Sequence, residues 1–188
     1  MLGETATAEW HDQAELSYTT LIDRTHRVTS LYNLTNVPSG ILVDEGGRVR
    51  RIDEGAYSGA LQIGDKSIGA HDYRPIVHDW VARGENSESL WSPEEMVERI
   101  RRRTPDQARA EPTFKLGVYL YGQGDEALAR TYWEQAQALA PDNWNFHRQD
   151  WNLTEGLAGP KLLEKMGALD EPFYVPLDLR GREDAAPR

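Results

Sequence analysis

A chain of 188 residues, 39% hydrophobic and 28% charged, is long enough to bury a core. Its formal net charge of −10 argues against binding nucleic acid or an anionic membrane surface, since both would repel it. The absence of cysteine excludes disulfides, thiolate nucleophiles and cysteine-held metal centres. No apolar run approaches the roughly 20 residues that span a bilayer, and Met1-Leu2-Gly3-Glu4 lacks the basic and hydrophobic regions of a secretory leader, so a cytoplasmic protein is expected.

Residues 1 to 15 are polar and alanine-rich and suggest a helix. Ser17 to Asp23 is a run of β-formers ending on a carboxylate, which predicts a strand. Val28, Leu31 and Tyr32 then share one face of a short helix. Gly40-Ile41-Leu42-Val43-Asp44, a glycine turn at Gly46-Gly47 and Arg48 to Asp53 predict a β-hairpin, its first strand buried on both faces and its second nearer an edge. Residues 54 to 70 are glycine-rich and suggest a long loop. Tyr73 to Ala82 places Ile76, Val77 and Trp80 at helical spacing before Gly84.

Gly84 to Ser89 is the expected linker. After it, Ser92-Pro93-Glu94-Glu95 and Thr104-Pro105-Asp106-Gln107 each carry the grammar of a capping box, with Trp91 placed to staple onto Met96. The remainder predicts helices broken at Gly122 to Gly124, Pro141 to Asn143 and Gly156 to Pro160, then an extended Pro172-Phe173-Tyr174-Val175-Pro176 and a frayed tail. The basic cluster Arg99, Arg101, Arg102 and Arg103 falls at a helix end, where it complements the dipole.

By spacing alone, Val37-Pro38 at the entrance of the buried strand is an ordinary trans bond, the alternative being a cis bond that turns the chain sharply. The frame around it resembles the C-terminal half of the redoxin family of thioredoxin-like proteins, which includes peroxiredoxin-like antioxidants and reductants of cytochrome maturation. The residues that carry the likeness are Tyr18 to Asp23, the helix ending in Leu31-Tyr32-Asn33-Leu34, and Asn36-Val37-Pro38-Ser39-Gly40-Ile41-Leu42-Val43-Asp44 with its glycine turn. The resemblance implies a cis Pro38 and a Val37 backbone that docks a partner peptide in extended form. It also implies an upstream segment with catalytic cysteines, which is not present here. This polypeptide therefore does no thiol exchange itself, and is expected to be a non-catalytic binding or scaffolding element using the Val37-Pro38 loop and the helical tail. The alternative is a truncated form of a thiol oxidoreductase or peroxidase whose cysteines lie upstream of Met1.

Gly117, Leu120, Ala129, Trp133, Ala136 and Pro141 form a second pattern. Small residues let two helices approach, Leu120 and Trp133 fill the wedge, and Pro141 stops the second helix. The spacing resembles one tetratricopeptide repeat of about 34 residues. Without a second clean repeat, a lone hairpin packed on the α/β part is preferred over a free peptide groove.

The chain is thus expected to be α+β, with a partial thioredoxin-like unit over 1–84, an all-α tetratricopeptide-like region over 85–180 and a disordered tail over 181–188. A protein or peptide is the expected partner, and self-association is expected if the half-sheet leaves an edge uncovered. His71 and His78 lie seven apart, but Pro75 intervenes and no third ligand has motif spacing, so neither a metal nor a cofactor is expected. His147 sits among aromatic residues, and Trp91, Trp133, Trp144 and Trp151 are read as core and helix-stapling aromatics. Asp23 and Asp44 end strands and are expected to be solvated there rather than paired for acid–base work.

Overall fold

The computed structural model describes residues 3–59, 61–63, 66–68, 72–100, 102–154, 158–169 and 173–180. The tail 181–188 lies outside them. The architecture is α+β and mostly helical. Helix α1 is Gly3–Ala14 and α2 is Arg27–Tyr32. The hairpin β1 (Ser39–Val43) and β2 (Val49–Glu54) follows, then a small hairpin of β3 (Leu61–Ile63) and β4 (Lys66–Ile68). Helices α3 (Arg74–Arg83), α4 (Pro93–Arg99), α5 (Pro105–Gly122), α6 (Glu126–Leu139), α7 (Trp144–Thr154) and α8 (Ala158–Gly167) complete the chain, with a 3-10 turn at Gly84–Asn86. No helix of the described residues is long and apolar enough to cross a membrane.

The strand expected over Ser17 to Asp23 is not formed. Tyr18 and Leu21 are 69% and 86% exposed, so pairing there would bury nothing. Asp23 instead accepts the backbone N–H groups of Arg27 (2.8 Å) and Val28 (2.7 Å), satisfying the first turn of α2. Burial works against that charge, and the backbone N–H groups of Arg27, Val28 and Thr29 outweigh it, holding the carboxyl below its usual range.

The predicted β1–β2 hairpin is present and antiparallel, with Gly40 opposite Asp53, Leu42 opposite Arg51 and a bulge between Leu42 and Val43. Asp44 closes its turn by accepting the N–H groups of Gly46 (3.0 Å) and Arg48 (2.9 Å). Each two-stranded sheet has no further strand among the described residues, so β1 is not a central strand buried on both faces: Leu42 alone on it is fully buried. The stretch 54–70, expected as a loop, carries the β3–β4 hairpin.

A buried polar network anchors β2. Arg51 is 0% exposed and holds Asp53 through Nε (2.5 Å) and Nη2 (3.1 Å), then donates to the carbonyls of Ser89 (2.8 Å) and Asp178 (2.7 Å). The Tyr73 hydroxyl donates to Asp53 (2.9 Å), and burial followed by the Asp53 charge holds that phenol far above its ordinary pKa. Gly40 makes room for this ring, since a Cβ there would lie 2.7 Å from Tyr73 Cε1. Around the network, Leu42, Ile76, Leu90 and Leu179 form one apolar core, so the last described segment of the chain packs on the first hairpin.

Both capping boxes form: Ser92 with Glu95 on α4, and Thr104 with Gln107 on α5. The expected linker at 84–89 is tied down. Ser87 and Ser89 hydroxyls donate to Asp79 (2.5 and 3.0 Å), and the Trp91 backbone N–H donates to the Arg50 carbonyl (3.2 Å). Trp91 is buried with the guanidinium carbons of Arg51 and Arg99 at 5.3 and 5.0 Å from its ring.

Helices α5 and α6 pack as the sequence pattern requires. A Cβ at Gly117 would lie 2.6 Å from Trp133 Cδ1 and Nε1 and 3.0 Å from the Ala129 carbonyl, so only glycine admits the indole. Ala110, Phe114, Ala129, Trp133, Ala136, Ala140 and Phe146 form a second core, against which Leu120 packs. The Phe114 and Phe146 rings stack at 4.4 Å, joining α7 to the hairpin.

Candidate functional site

The loop from Leu34 to Pro38, which enters β1, is held by hydrogen bonds from three segments: β2, the segment at Phe173 and α7. Glu54 Oε1 accepts the N–H (2.8 Å) and hydroxyl (2.9 Å) of Thr35 and the N–H of Asn36 (3.2 Å). The Asn36 side chain, 1% exposed, accepts the Val37 N–H (2.9 Å) and donates to the Phe173 carbonyl (3.5 Å). Helix α7 enters from the other side, where Asn145 donates its backbone N–H to the Thr35 carbonyl (3.2 Å) and its amide to the Leu34 carbonyl (2.9 Å).

The Val37–Pro38 bond is cis. The Val37 carbonyl accepts from the Tyr174 hydroxyl (2.5 Å) and from Arg148 Nη1 (3.2 Å). Both backbone polar groups of Val37 are therefore engaged within the chain, and what it presents outward is its side chain, 42% exposed. Tyr57 and Tyr174 hydroxyls meet at 2.9 Å, and burial with this bond raises the Tyr174 pKa above the usual phenol range.

Beside Val37 lies a cavity of about 360 Å³ between α2, α7 and α8, lined by His26, Thr29, Val37, Asn145, Arg148, Gln149, Asn152, Gly159 and Leu162. Asn145, Arg148, Gln149 and Asn152 fall at i, i+3, i+4 and i+7, one face of α7. The side-chain amides of Gln149 and Asn152 have no hydrogen-bond partner among the described residues, and no described carboxylate pairs with Arg148. Arg148 Nε is buried without an acceptor. No carboxylate is among the described residues that line the cavity, in a chain of net charge −10.

The other candidate residues are dispersed. Asp23 caps α2 and Asp44 closes the hairpin turn, with no hydrogen bond between them. His71 lies outside the described residues, among which no group of three or more His, Asp and Glu is arranged to hold a metal. Of the basic cluster, Arg99 pairs with Asp178 (2.9 Å) and Arg103 with Glu111 (3.0 Å), Arg102 is exposed with no ion-pair partner among the described residues, and Arg101 lies outside them. His147 is buried, with Nε2 at 2.9 Å from the Pro141 carbonyl and 2.8 Å from Lys165 Nζ. Lys165 lies over the Trp144 and Trp151 rings at 5.2 and 6.0 Å, so these aromatics staple α8 onto α7. Burial lowers the pKa of both His147 and Lys165.

Sequence reasoning singled out Val37 and Pro38 but missed Arg148, Gln149 and Asn152, whose signal was the polar face of a helix at i+3, i+4 and i+7 from Asn145, with aromatics on the opposite face. No family model, curated protein or solved structure matches the chain.

Proposed function

We propose that this chain is a binding element for an extended peptide segment, which lies along the α7 face beside Val37 and sets a carboxylate against Arg148. The reading combines the redoxin-like Val37-Pro38 loop with the tetratricopeptide-like α5–α6 hairpin, whose Gly117, Leu120, Ala129, Trp133, Ala136 and Pro141 hold α7 in position through Phe114 and Phe146. The single observation that carries it is Arg148, which donates to the Val37 carbonyl but pairs with no described carboxylate and has its Nε buried without an acceptor, beside the unpartnered Gln149 and Asn152 amides in a cavity whose described lining has no carboxylate. Amides carry a donor and an acceptor at once, which suits a peptide backbone, and a guanidinium with no carboxylate partner suits a carboxylate. Val37 supplies the apolar contact. No thiol step enters, because the chain has no cysteine to attack with.

The test is selection from a random heptapeptide library with free C-termini on the immobilised chain, followed by fluorescence anisotropy of the selected peptides. Gln149→Ala with Asn152→Ala, and separately Pro38→Ala, should each weaken binding about tenfold, the equivalent of about 1.4 kcal/mol. Selected peptides that bind Pro38→Ala as well as the parent would remove the loop from the role.

A further inference from the structure

Helix α8 forms one wall of the cavity beside Val37, through Gly159 and Leu162. Among the helices and strands it packs chiefly on α7, and no described residue of α8 is fully buried: Leu162, Leu163 and Met166 are half-buried, and Gly159, Pro160 and Glu164 are exposed. A helix so lightly covered opens more readily than α5 and α6, whose Phe114, Ala129 and Trp133 lie in a core.

Lys165 anchors α8 on α7. Its Nζ stands 2.8 Å from Nε2 and 3.2 Å from Nδ1 of His147, which is 5% exposed, and lies over the Trp144 and Trp151 rings. No described carboxylate pairs with it. The imidazole can hold an ammonium only while it is neutral. Nε2 donates its hydrogen to the Pro141 carbonyl (2.9 Å), which leaves Nδ1 with the lone pair. A second proton goes to Nδ1, and the imidazolium then has two N–H donors and nothing to offer Lys165. Two positive charges would stand 2.8 to 3.2 Å apart, largely out of water.

We propose that His147 and Lys165 form a proton-operated latch: protonation of His147 expels Lys165, frees α8 from α7 and removes the Gly159 and Leu162 wall, so that acid releases the peptide. The consequence for binding rests on the peptide-binding reading above; the latch itself does not.

The other charged groups around the ring make it protonable without holding Lys165 in place. Burial, followed by the Lys165 charge among the neighbouring groups, opposes the imidazolium and keeps the latch closed near neutral pH. Asp142, ahead of α7, and Asp150, on α7, favour it. Asp142 accepts from Gln107 of α5 (3.5 Å), and Asp150 from Gln137 of α6 (2.8 Å) and from Thr154 (3.3 Å). Neither carboxylate pairs with Lys165, so neither retains it once the ring is charged.

His26 also lines the cavity. The variant that isolates the latch is therefore Lys165→Met, which removes the like charge, keeps a side chain that packs on indoles and leaves both histidines. Hydrogen exchange of the whole chain, read by mass spectrometry at pH 7.5 and 5.5 and corrected for intrinsic rates, follows α8 directly. Protection of α8 should fall about tenfold at pH 5.5 relative to that of α5 and α6, and Lys165→Met should abolish this difference. His147→Gln should abolish it too, and decides the matter if Lys165→Met does not fold by circular dichroism. An equal loss in α8 and in α5 and α6, no loss, or a selective loss that persists in the folded variant would overturn the latch.

The link to binding is read by anisotropy with a selected peptide, whose carboxylate is ionised at both pH values. The parent should bind it about tenfold more weakly at pH 5.5, and Lys165→Met equally at both. The same weakening in both chains would assign the effect to His26 and overturn the link. Selection of no peptide would sink the peptide-binding reading and leave the exchange experiment to decide the latch.

Discussion

Arg51 and Asp53 stand two residues apart on one face of β2 and form a two-point ion pair, at 2.5 and 3.1 Å, with Arg51 entirely out of solvent. The pair is joined to Tyr73 on one side and to the Ser89 and Asp178 carbonyls on the other, so it binds β2, α3 and the last described segment together. Arg51→Met strands a buried carboxylate and two carbonyls, and should cost about 3–5 kcal/mol in urea unfolding. Arg51→Met combined with Asp53→Leu removes both charges and should recover part of that loss. A single variant as stable as the parent would show that the network is not a structural anchor.

Gly117 and Trp133 give a sharper steric test. Gly117→Ala forces a methyl into the indole and should destabilise by about 1–3 kcal/mol. Gly122, at the end of the same helix, has open space where its Cβ would be. Gly122→Ala should therefore be neutral or stabilising by up to about 1 kcal/mol through helix propensity. Equal effects at the two positions, read from thermal melts, would remove the close-approach explanation.

Acid should weaken the fold through two histidines before it reaches the carboxylates. Burial lowers the pKa of His147 and of His26, so each stays neutral in the folded chain while the unfolded chain takes up a proton at its ordinary value. The unfolded state then binds more protons, stability rises with pH, and the contribution is intact above about pH 6.5 and lost as pH falls below it. The lowered carboxyl groups of Asp23 and Glu111 act in the same direction in a lower window. The urea midpoint should fall between pH 7.5 and 5.5, and His147→Gln, uncharged throughout, should flatten that fall. A flat parent profile over this range would contradict the buried, neutral histidines.

What the sequence made legible was local. The capping boxes at Ser92 and Thr104, the hairpin around Gly46-Gly47 and the Gly117 and Trp133 spacing each depend on residues a few positions or one helical hairpin apart. The run Ser17 to Asp23 misled because β-propensity says nothing about whether a neighbour exists to bury it, and the Asp23 carboxylate had a nearer use as a cap. Nothing local marks Arg51 as buried among the arginines of Arg48 to Asp53. Its burial depends on carbonyls at Ser89 and Asp178, although Asp53 two residues on, on the same strand face, was the available clue. The setting of Val37 depends on Tyr174 and Arg148, 137 and 111 positions away, which bond its carbonyl, and no local pattern encodes that.

Arg148 is the residue on which the proposed peptide binding turns, because in that proposal it makes the charge contact while the amides and Val37 set register. The most direct test compares one selected peptide, with a free C-terminal carboxylate and with that carboxylate amidated, on the parent chain and on Arg148→Met, all by fluorescence anisotropy. A hydrogen bond to a charged group contributes about 1.5–3 kcal/mol, so amidation should weaken parent binding by about 10- to 100-fold. On Arg148→Met the two peptides should bind alike and weakly. An amidation penalty that persists undiminished in Arg148→Met would contradict the account.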